Sequence, residues 1–293
     1  MADVPRSAAA AAAVLALASL LLWAGSAYAP RSSGGAPGLK PRPALEWALQ
    51  QPRPGLHQWA GVGPGVGGGL GLVRMPAEAG GRCVDGSSYA YYTDAQGSGR
   101  DTAKWVVWLQ GGGCCDSLER AEPGSFEFFG PCAGRVGTPM GSSSAFAPAA
   151  EAASVLSPSP GVNPVHWRWS HFMLPYCSGD LWAGSTEEPV AAEGGAELYF
   201  SGSANVRAAL AHIRRSLGGS APTHVVLAGG SAGGVGVLTH LDLVAELYPG
   251  ADVTGLAAAG WFSYSHSFGS GEVSELSSSW EERATRVWGD GGK

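Results

Sequence analysis

The distribution of apolar residues predicts alternating strands and helices over much of the chain beyond residue 100. Trp105–Leu109 is an uninterrupted apolar run of aromatic and β-branched residues, the pattern of a strand buried on both faces. Further strands are predicted at His171–Cys177, Thr223–Ala228 and Val253–Phe262, and an earlier β-hairpin over Cys83–Gly86 and Tyr89–Tyr92.

Two segments between these strands have the periodicity of helices. Ser203–Leu217 carries alanine and leucine on one side and arginine on the other, and two glycines follow it. Ser231–Tyr248 is the second predicted helix, and a Pro-Gly pair ends it. Strands that alternate with helices predict an α/β domain with a mostly parallel sheet and helices on both faces.

Composition divides the chain into three segments. Residues 1–29 resemble a secretory signal peptide, because the apolar run Ala8–Trp23 precedes small residues and the cleavage pattern Ala27-Tyr28-Ala29. A signal anchor and an organellar transit peptide are the alternatives. Residues 30–71 are rich in Pro and Gly and are interpreted as a linker, and residues 72–293 as the folded domain.

Composition also excludes several classes of protein. Hydrophobic residues make up 45% of the 293 residues, which is enough for a core and argues against a disordered chain. The net charge is −6 and the sequence has no basic stripe, so nucleic acid is not expected as a partner. Five cysteines are an odd number, and at least one is expected outside any disulfide within the chain.

The sequence Gly229-Gly230-Ser231-Ala232-Gly233 matches the G-x-S-x-G pattern of a nucleophile elbow. Glycine is so abundant here that the pattern alone carries little weight. Its position directly between a predicted strand and a predicted helix is what such an elbow requires, because small residues allow the strand and helix to approach. Ser231 is therefore the candidate nucleophile. The alternative is a Gly-rich turn that contains a serine by chance.

A second glycine-rich segment, Gly111–Gly113, follows the strand Trp105–Leu109. In hydrolases with a nucleophile elbow, a loop after an early strand supplies one N–H group to the oxyanion hole, and the residue after the nucleophile supplies another. The candidate donors are Gly113, Cys114 and Ala232. A loop without a catalytic role is the alternative, and a phosphate-binding loop is disfavoured because no G-K-[ST] follows.

Several sequence blocks, read together, resemble the pectin acetylesterase / Notum family of serine carboxylesterases, and the Notum side of it more closely. The resemblance extends from about Cys83 to about Trp261. The blocks that carry it are Cys83–Ser87, Gly111–Cys115, Asn163-Pro164, Trp167–Trp169, Pro175–Gly184, Leu198–Phe200, Ala228–Gly234 and Ala259–Phe262.

This resemblance implies an α/β-hydrolase fold and ester hydrolysis by a Ser-His-Asp triad, with no cofactor and no metal. Ser231 would be the nucleophile, and Gly113, Cys114 and Ala232 the oxyanion donors. The implied substrate is an acylated polysaccharide or a lipidated protein outside the cell or in the cell wall. A membrane would be a partner only if residues 1–29 remain as an anchor.

The sequence departs from the family in three respects. The family usually has Trp at the position of Cys114, and an acidic residue where Ala258-Ala259 precede Gly260. We also expect the chain to stop before the family's triad Asp and His, and its sheet to lack the last strands. His266 is a weak candidate for the base, and His240 is expected to point away from Ser231. A non-catalytic binding module, a truncated fragment and a serine peptidase are the alternatives.

Overall fold

A computed structural model describes residues 69–97, 99–127, 129–186, 188–260 and 287–288. The chain divides into the units Met1–Pro54 and Gly55–Lys293, and every described residue belongs to the second. The segments interpreted as signal peptide and linker lie outside the described residues, except that the first strand begins at Leu70, within the segment 30–71. None of the described helices is long and apolar enough to cross a membrane.

Eleven strands and two α-helices with described bounds make up the described secondary structure, apart from short 3₁₀ turns and the helical residue pair 287–288. The strands are β1 Leu70–Arg74, β2 Ala90–Thr93, β3 Asp101–Leu109, β4 Cys114–Ser117, β5 Phe129–Pro131, β6 Ala149–Ala150, β7 Trp169–Leu174, β8 Val190–Ala191, β9 Glu197–Leu198, β10 His224–Gly230 and β11 Asp252–Ala258. The helices are α1 Gly202–Ser216 and α2 Ala232–Leu247.

Seven strands form the main sheet, in the order β11-β10-β3-β7-β2-β1-β6. The four strands from β11 to β7 are parallel to their neighbours, and β2, β1 and β6 extend the sheet with antiparallel pairings. The α/β-hydrolase-like fold class is confirmed, and the sheet is mixed. Strands β4 and β5, and strands β8 and β9, form two small separate pairs.

The predicted strand Trp105–Leu109 is confirmed as the end of β3, where Trp105 and Val107 are fully buried. The predicted strand at His171 ends as β7 at Leu174, because Pro175 follows and cannot donate to a ladder. Both predicted helices are confirmed within one residue at each end.

The predicted hairpin at Cys83–Gly86 is wrong. Strand β2 pairs instead with β1, with Val73 opposite Tyr91. Cys83–Gly86 forms a tight turn, in which the Gly86 N–H donates to Cys83 O at 2.9 Å. The glycine at its end has a φ of 83°, a left-handed conformation that strands do not use.

The sequence predicts helices on both faces of the sheet, whereas the two described α-helices lie on the same face. On that face Trp105 contacts Phe172 and Tyr248, and Tyr248 donates a hydrogen bond to Leu210 O of α1 at 3.1 Å. On the opposite face Tyr92 contacts Phe146, which follows a short 3₁₀ turn. Among the described residues, turns and loops cover that second face. The segment that forms them is rich in Pro and Gly and therefore has a low helix propensity.

Candidate active site

Ser231 occupies the turn between β10 and α2, and its backbone has a φ of 56° and a ψ of −124°. A residue other than glycine is costly in this region of conformational space, and such strain collects at functional sites. Hydrogen bonds hold the turn: Ser231 N–H donates to Ala258 O at 2.9 Å, and Ser231 O accepts from Gly234 N–H at 2.8 Å. The serine side chain is exposed at the carboxyl end of the parallel strands.

Glycines let strand, helix and loop meet around this serine. A Cβ atom on Gly233 would clash with Leu109 O, and one on Gly229 would clash with Gly233 O. A Cβ on Gly234 would lie 2.7 Å from the Cα of Gly260. A side chain at the glycine positions of the G-x-S-x-G pattern would therefore clash with neighbouring backbone, as the sequence analysis expects of an elbow.

The glycine loop after β3 lies against the serine turn. A Cβ atom on Gly111 would clash with Gly230 O and would come within 3.0 Å of the Ser231 Cβ. Gly113 has a φ of 66°, which a residue with a side chain rarely adopts. The structure thus brings the Gly111–Gly113 loop and Ser231 together.

The other two candidate donors lie on the elements that border this loop. Ala232 is the first residue of α2 and is fully buried. Its N–H belongs to the first turn, where N–H groups have no partner within the helix and form the positive end of the helix dipole. Cys114 begins β4 and is 2% exposed.

A buried arginine lies beneath the glycine loop, and the sequence contained no signal for it. Arg135 is 1% exposed, and its Nη2 donates a hydrogen bond to Gly112 O at 3.0 Å. The guanidinium carbon lies 5.0 Å from the ring centroid of Phe126 and 5.8 Å from that of Tyr176. Burial lowers the pKa of Arg135, and nearby groups including Asp180 act in the opposite direction.

A second buried charge organises the segment beside the site. The Asp180 carboxylate accepts hydrogen bonds from Ser178 Oγ at 2.6 Å, Trp182 N–H at 3.0 Å and Gly202 N–H at 2.7 Å. Gly202 is the first residue of α1, so this carboxylate also lies at the positive end of a helix. Burial raises the pKa of Asp180, and these three hydrogen bonds oppose the shift. Asp180 therefore holds a loop and a helix start together.

Two disulfides cross-link the segments around the site. Cys83 pairs with Cys177, and Cys115 pairs with Cys132. Cys114 is buried and belongs to neither bond, which confirms that one cysteine lies outside the disulfides. Trp288 donates a hydrogen bond from Nε1 to Cys115 O at 2.8 Å, so the described C-terminal pair of residues lies close to this loop.

Neither a buried His–Asp pair nor His240 supplies a partner for Ser231. His171 Nδ1 lies 2.8 Å from Asp94 Oδ2, but this pair lies at the amino end of β7, opposite Ser231. His240 Nε2 is engaged at 2.7 Å from Trp182 O. His266, the other histidine that follows Ser231, lies outside the described residues.

A serine on a strained strand–helix turn, a glycine loop beside it and a largely parallel central sheet define an α/β-hydrolase-like protein. The sequence model of the family described as Pectinacetylesterase matches residues 66–280. The chain therefore belongs to the pectinacetylesterase family.

Individual relatives agree with this assignment. The chain is 38% identical over 188 residues to palmitoleoyl-protein carboxylesterase notum1 of Xenopus laevis, which covers 61% of this chain and 34% of the relative. It is 32% identical over 180 residues to pectin acetylesterase 4 of Arabidopsis thaliana, covering 61% of this chain and 40% of that protein. The match thus spans between a third and two fifths of these relatives.

A solved structure has the same fold. The Wnt deacylase Notum from Drosophila superimposes with a TM-score of 0.60 at 24% sequence identity. The superposition covers 75% of this chain and 60% of the Drosophila chain.

Proposed function

We propose that this protein is a serine carboxylesterase with Ser231 as its nucleophile. The observation that carries the proposal is the backbone of Ser231, at a φ of 56° between β10 and α2 with the Gly111 loop in contact. Family membership supports ester hydrolysis, since the relatives named above are a carboxylesterase and an acetylesterase.

The proposed reaction proceeds through an acyl-enzyme. Ser231 Oγ attacks the ester carbonyl carbon while a base takes its proton, and the negative charge on the carbonyl oxygen accepts hydrogen bonds from the N–H groups of Gly113, Cys114 and Ala232. The alcohol leaves with the proton, and water then hydrolyses the acyl-enzyme to release the acid. His266 is the candidate base, because His240, the other histidine after Ser231, donates its Nε2 hydrogen to Trp182 O.

The proposed substrate is an ester on a polysaccharide or on an acylated protein. The two chemistries come from the names of the relatives, one a pectin acetylesterase and the other a palmitoleoyl-protein carboxylesterase. The two disulfides support passage through an oxidising compartment, which agrees with secretion and with residues 1–29 as a signal peptide. In this proposal the hydrolase domain begins with strand β1 at Leu70, two residues earlier than the sequence analysis expects, and the Pro- and Gly-rich segment from residue 30 up to that strand is the linker.

Ester hydrolysis by the secreted 293-residue chain tests the proposal. We expect turnover of p-nitrophenyl acetate or p-nitrophenyl octanoate that Ser231→Ala abolishes. Ser216→Ala, on the exposed last residue of α1, is the matched control and should retain full turnover. The ratio of the acetate rate to the octanoate rate shows whether the enzyme prefers a short or a long acyl chain.

The same measurement separates the esterase from a non-catalytic binding module with this fold. Folded protein without Ser231-dependent turnover, and without labelling of Ser231 by a fluorophosphonate, would overturn the proposed mechanism. If turnover is present, His266→Ala should abolish it while leaving the folded protein intact, and a fully active His266→Ala variant would exclude His266 as the base.

A further inference from the structure

A buried cation is bonded to the glycine loop on which the proposed oxyanion hole depends. We propose that Arg135 is the positioning residue of this loop, holding the Gly112–Gly113 peptide so that the Gly113 N–H points at the developing oxyanion. This inference rests on the proposed function and extends it to a residue that the reaction does not touch. Its first support is the 3.0 Å hydrogen bond from Arg135 Nη2 to Gly112 O.

The geometry of the peptide bond transmits this contact to the donor. A trans peptide is planar, and its C=O and N–H point in opposite directions. No cis peptide occurs among the described residues. Because Arg135 binds Gly112 O from the buried side, the N–H of Gly113 is directed away from the guanidinium. Gly111, next to this peptide, contacts the Ser231 turn.

The surroundings of Arg135 fix its guanidinium in place. The ring centroids of Phe126 and Tyr176 lie 5.0 Å and 5.8 Å from its central carbon. Gly179, with a φ of 74°, leaves room for the arginine stem, since a Cβ there would lie 3.2 Å from the Arg135 Cδ. Arg135 ends the 3₁₀ turn that begins at Cys132.

A disulfide connects that turn to the strand that carries another proposed donor. Cys132 is bonded to Cys115, the residue after Cys114 in β4. The arginine and the glycine loop therefore belong to one covalently connected unit, and we expect their spacing to persist when substrate binds. A site preorganised in this way spends little free energy on reorganisation during the reaction.

The charge of Arg135 adds to the effect of its geometry. Arginine remains protonated in proteins, and hydrogen bonds from a charged donor are stronger than those between neutral groups. A cation at Gly112 O polarises the peptide and makes the Gly113 N–H a better donor, as in cooperative hydrogen-bond chains. Negative charge forms at this donor only in the transition state, so the benefit should fall on kcat.

Kinetics of Arg135→Met and Arg135→Lys test the inference. Removing a direct oxyanion donor typically costs roughly 100- to 1,000-fold in kcat. Because Arg135 acts through a neighbour, we expect Arg135→Met to lower kcat about 10- to 100-fold on p-nitrophenyl octanoate with KM nearly unchanged. Arg135→Lys retains the charge and should recover part of the rate. Arg120→Met, whose arginine is 75% exposed, is the matched control and should behave as wild type.

A readout without turnover separates this inference from the proposed function. The ¹⁵N chemical shift of Gly113 responds to the hydrogen bond at the preceding carbonyl, Gly112 O, and it should move in Arg135→Met but not in Arg120→Met. A wild-type chain without Ser231-dependent turnover would overturn the esterase. A folded Arg135→Met with wild-type kcat, or with an unshifted Gly113 signal, would overturn the positioning role. Should Arg135→Met not fold, Arg135→Lys decides through the same two measurements.

Discussion

His240 Nε2 lies 2.7 Å from the carbonyl oxygen of Trp182, and this contact ties the middle of α2 to the segment beside the candidate site. His240 is 3% exposed, and burial lowers its pKa, so the imidazole is held in its neutral form. Trp182 has a φ of 68°, a strained conformation for a residue with a side chain. The histidine therefore supports a strained loop and is not directed at Ser231.

Replacing His240 is expected to reduce stability more than catalysis. In His240→Ala the buried Trp182 carbonyl loses its donor, which costs about 1 to 3 kcal/mol of unfolding free energy. Urea denaturation measures the loss, and Thr239→Ala, on the exposed neighbouring position of α2, is the control. The kcat for ester hydrolysis should change only a few-fold. A folded His240→Ala without any Ser231-dependent turnover would contradict this structural role.

The close approach of strand and helix around Ser231 predicts very different effects for two glycine substitutions. In Gly233→Ala the new methyl group would clash with Leu109 O, and neither backbone segment can move away cheaply. We expect a loss of about 3 kcal/mol or more in unfolding free energy. Gly250→Ala, where the added methyl would meet nothing within 4 Å, is the control. Equal denaturation midpoints for the two variants would show that the elbow tolerates a side chain.

The central strands and the serine turn could be predicted because they depend on local sequence. Trp105–Leu109 is apolar throughout, and the glycines around Ser231 stand between a strand and a helix. The hairpin partner could not be predicted in the same way. Strand β1, Leu70–Arg74, lies next to a Gly-rich segment, and the connection to its partner β2 is the irregular segment 75–89 instead of a short hairpin turn.

Arg135 shows what sequence patterns miss at the site itself. It stands in a Gly- and Pro-rich stretch, where an arginine is normally exposed. Only the fold brings it under Gly112, 23 residues earlier in the chain. The sequence does not determine the disulfide partners either, since the positions of five cysteines do not show which of them lie close together in the fold.

The two disulfides should differ in their effect on stability and activity. Cys83–Cys177 closes a loop with a sequence separation of 94, and Cys115–Cys132 one of 17. From loop entropy, replacing both cysteines by alanine should cost about 5 kcal/mol for the first bond and about 3 kcal/mol for the second. Equilibrium unfolding under non-reducing conditions checks the order of the two losses.

The effect on turnover should run in the reverse order. Cys115–Cys132 borders the loop of the proposed oxyanion hole. For a given loss of unfolding free energy, the folded Cys115→Ala/Cys132→Ala variant should therefore lose more kcat than the Cys83→Ala/Cys177→Ala variant. If both double variants lose kcat only in proportion to the fraction unfolded, the second disulfide has no special connection to the site.

In the proposed site Cys114 would contribute only its backbone N–H, and its thiol is expected to be dispensable. Cys114→Ala retains the N–H donor and should keep kcat within a few-fold of wild type. Because the side chain is 2% exposed, iodoacetamide should not modify the native protein. Mass spectrometry after alkylation and ester hydrolysis by the variant test both statements. Loss of turnover in a folded Cys114→Ala would assign the thiol itself a role.

Stability should fall in acid because His166 is buried in its neutral form. Its ring lies 4.5 Å from Trp169, and burial, with a smaller contribution from His171, lowers the pKa of His166 from 6.5 to about 4. The folded state therefore binds this proton less readily than the unfolded chain does. The associated stability is complete above pH 6.5 and is lost as the pH falls to about 4. The loss should be about 2 kcal/mol, below the full shift because solvent screens part of the interaction.

His166→Phe keeps an aromatic ring against Trp169 and removes the titrating group. Urea denaturation between pH 7 and pH 4 should show a smaller fall in unfolding free energy for this variant than for wild type. His224→Phe is the matched control, because His224 is the other imidazole in contact with Trp169, at 5.8 Å. Near pH 5, unfolding of His166→Phe should take up nearly one proton fewer than unfolding of the wild type. Unchanged proton uptake in that variant would mean that His166 titrates alike in the folded and unfolded states.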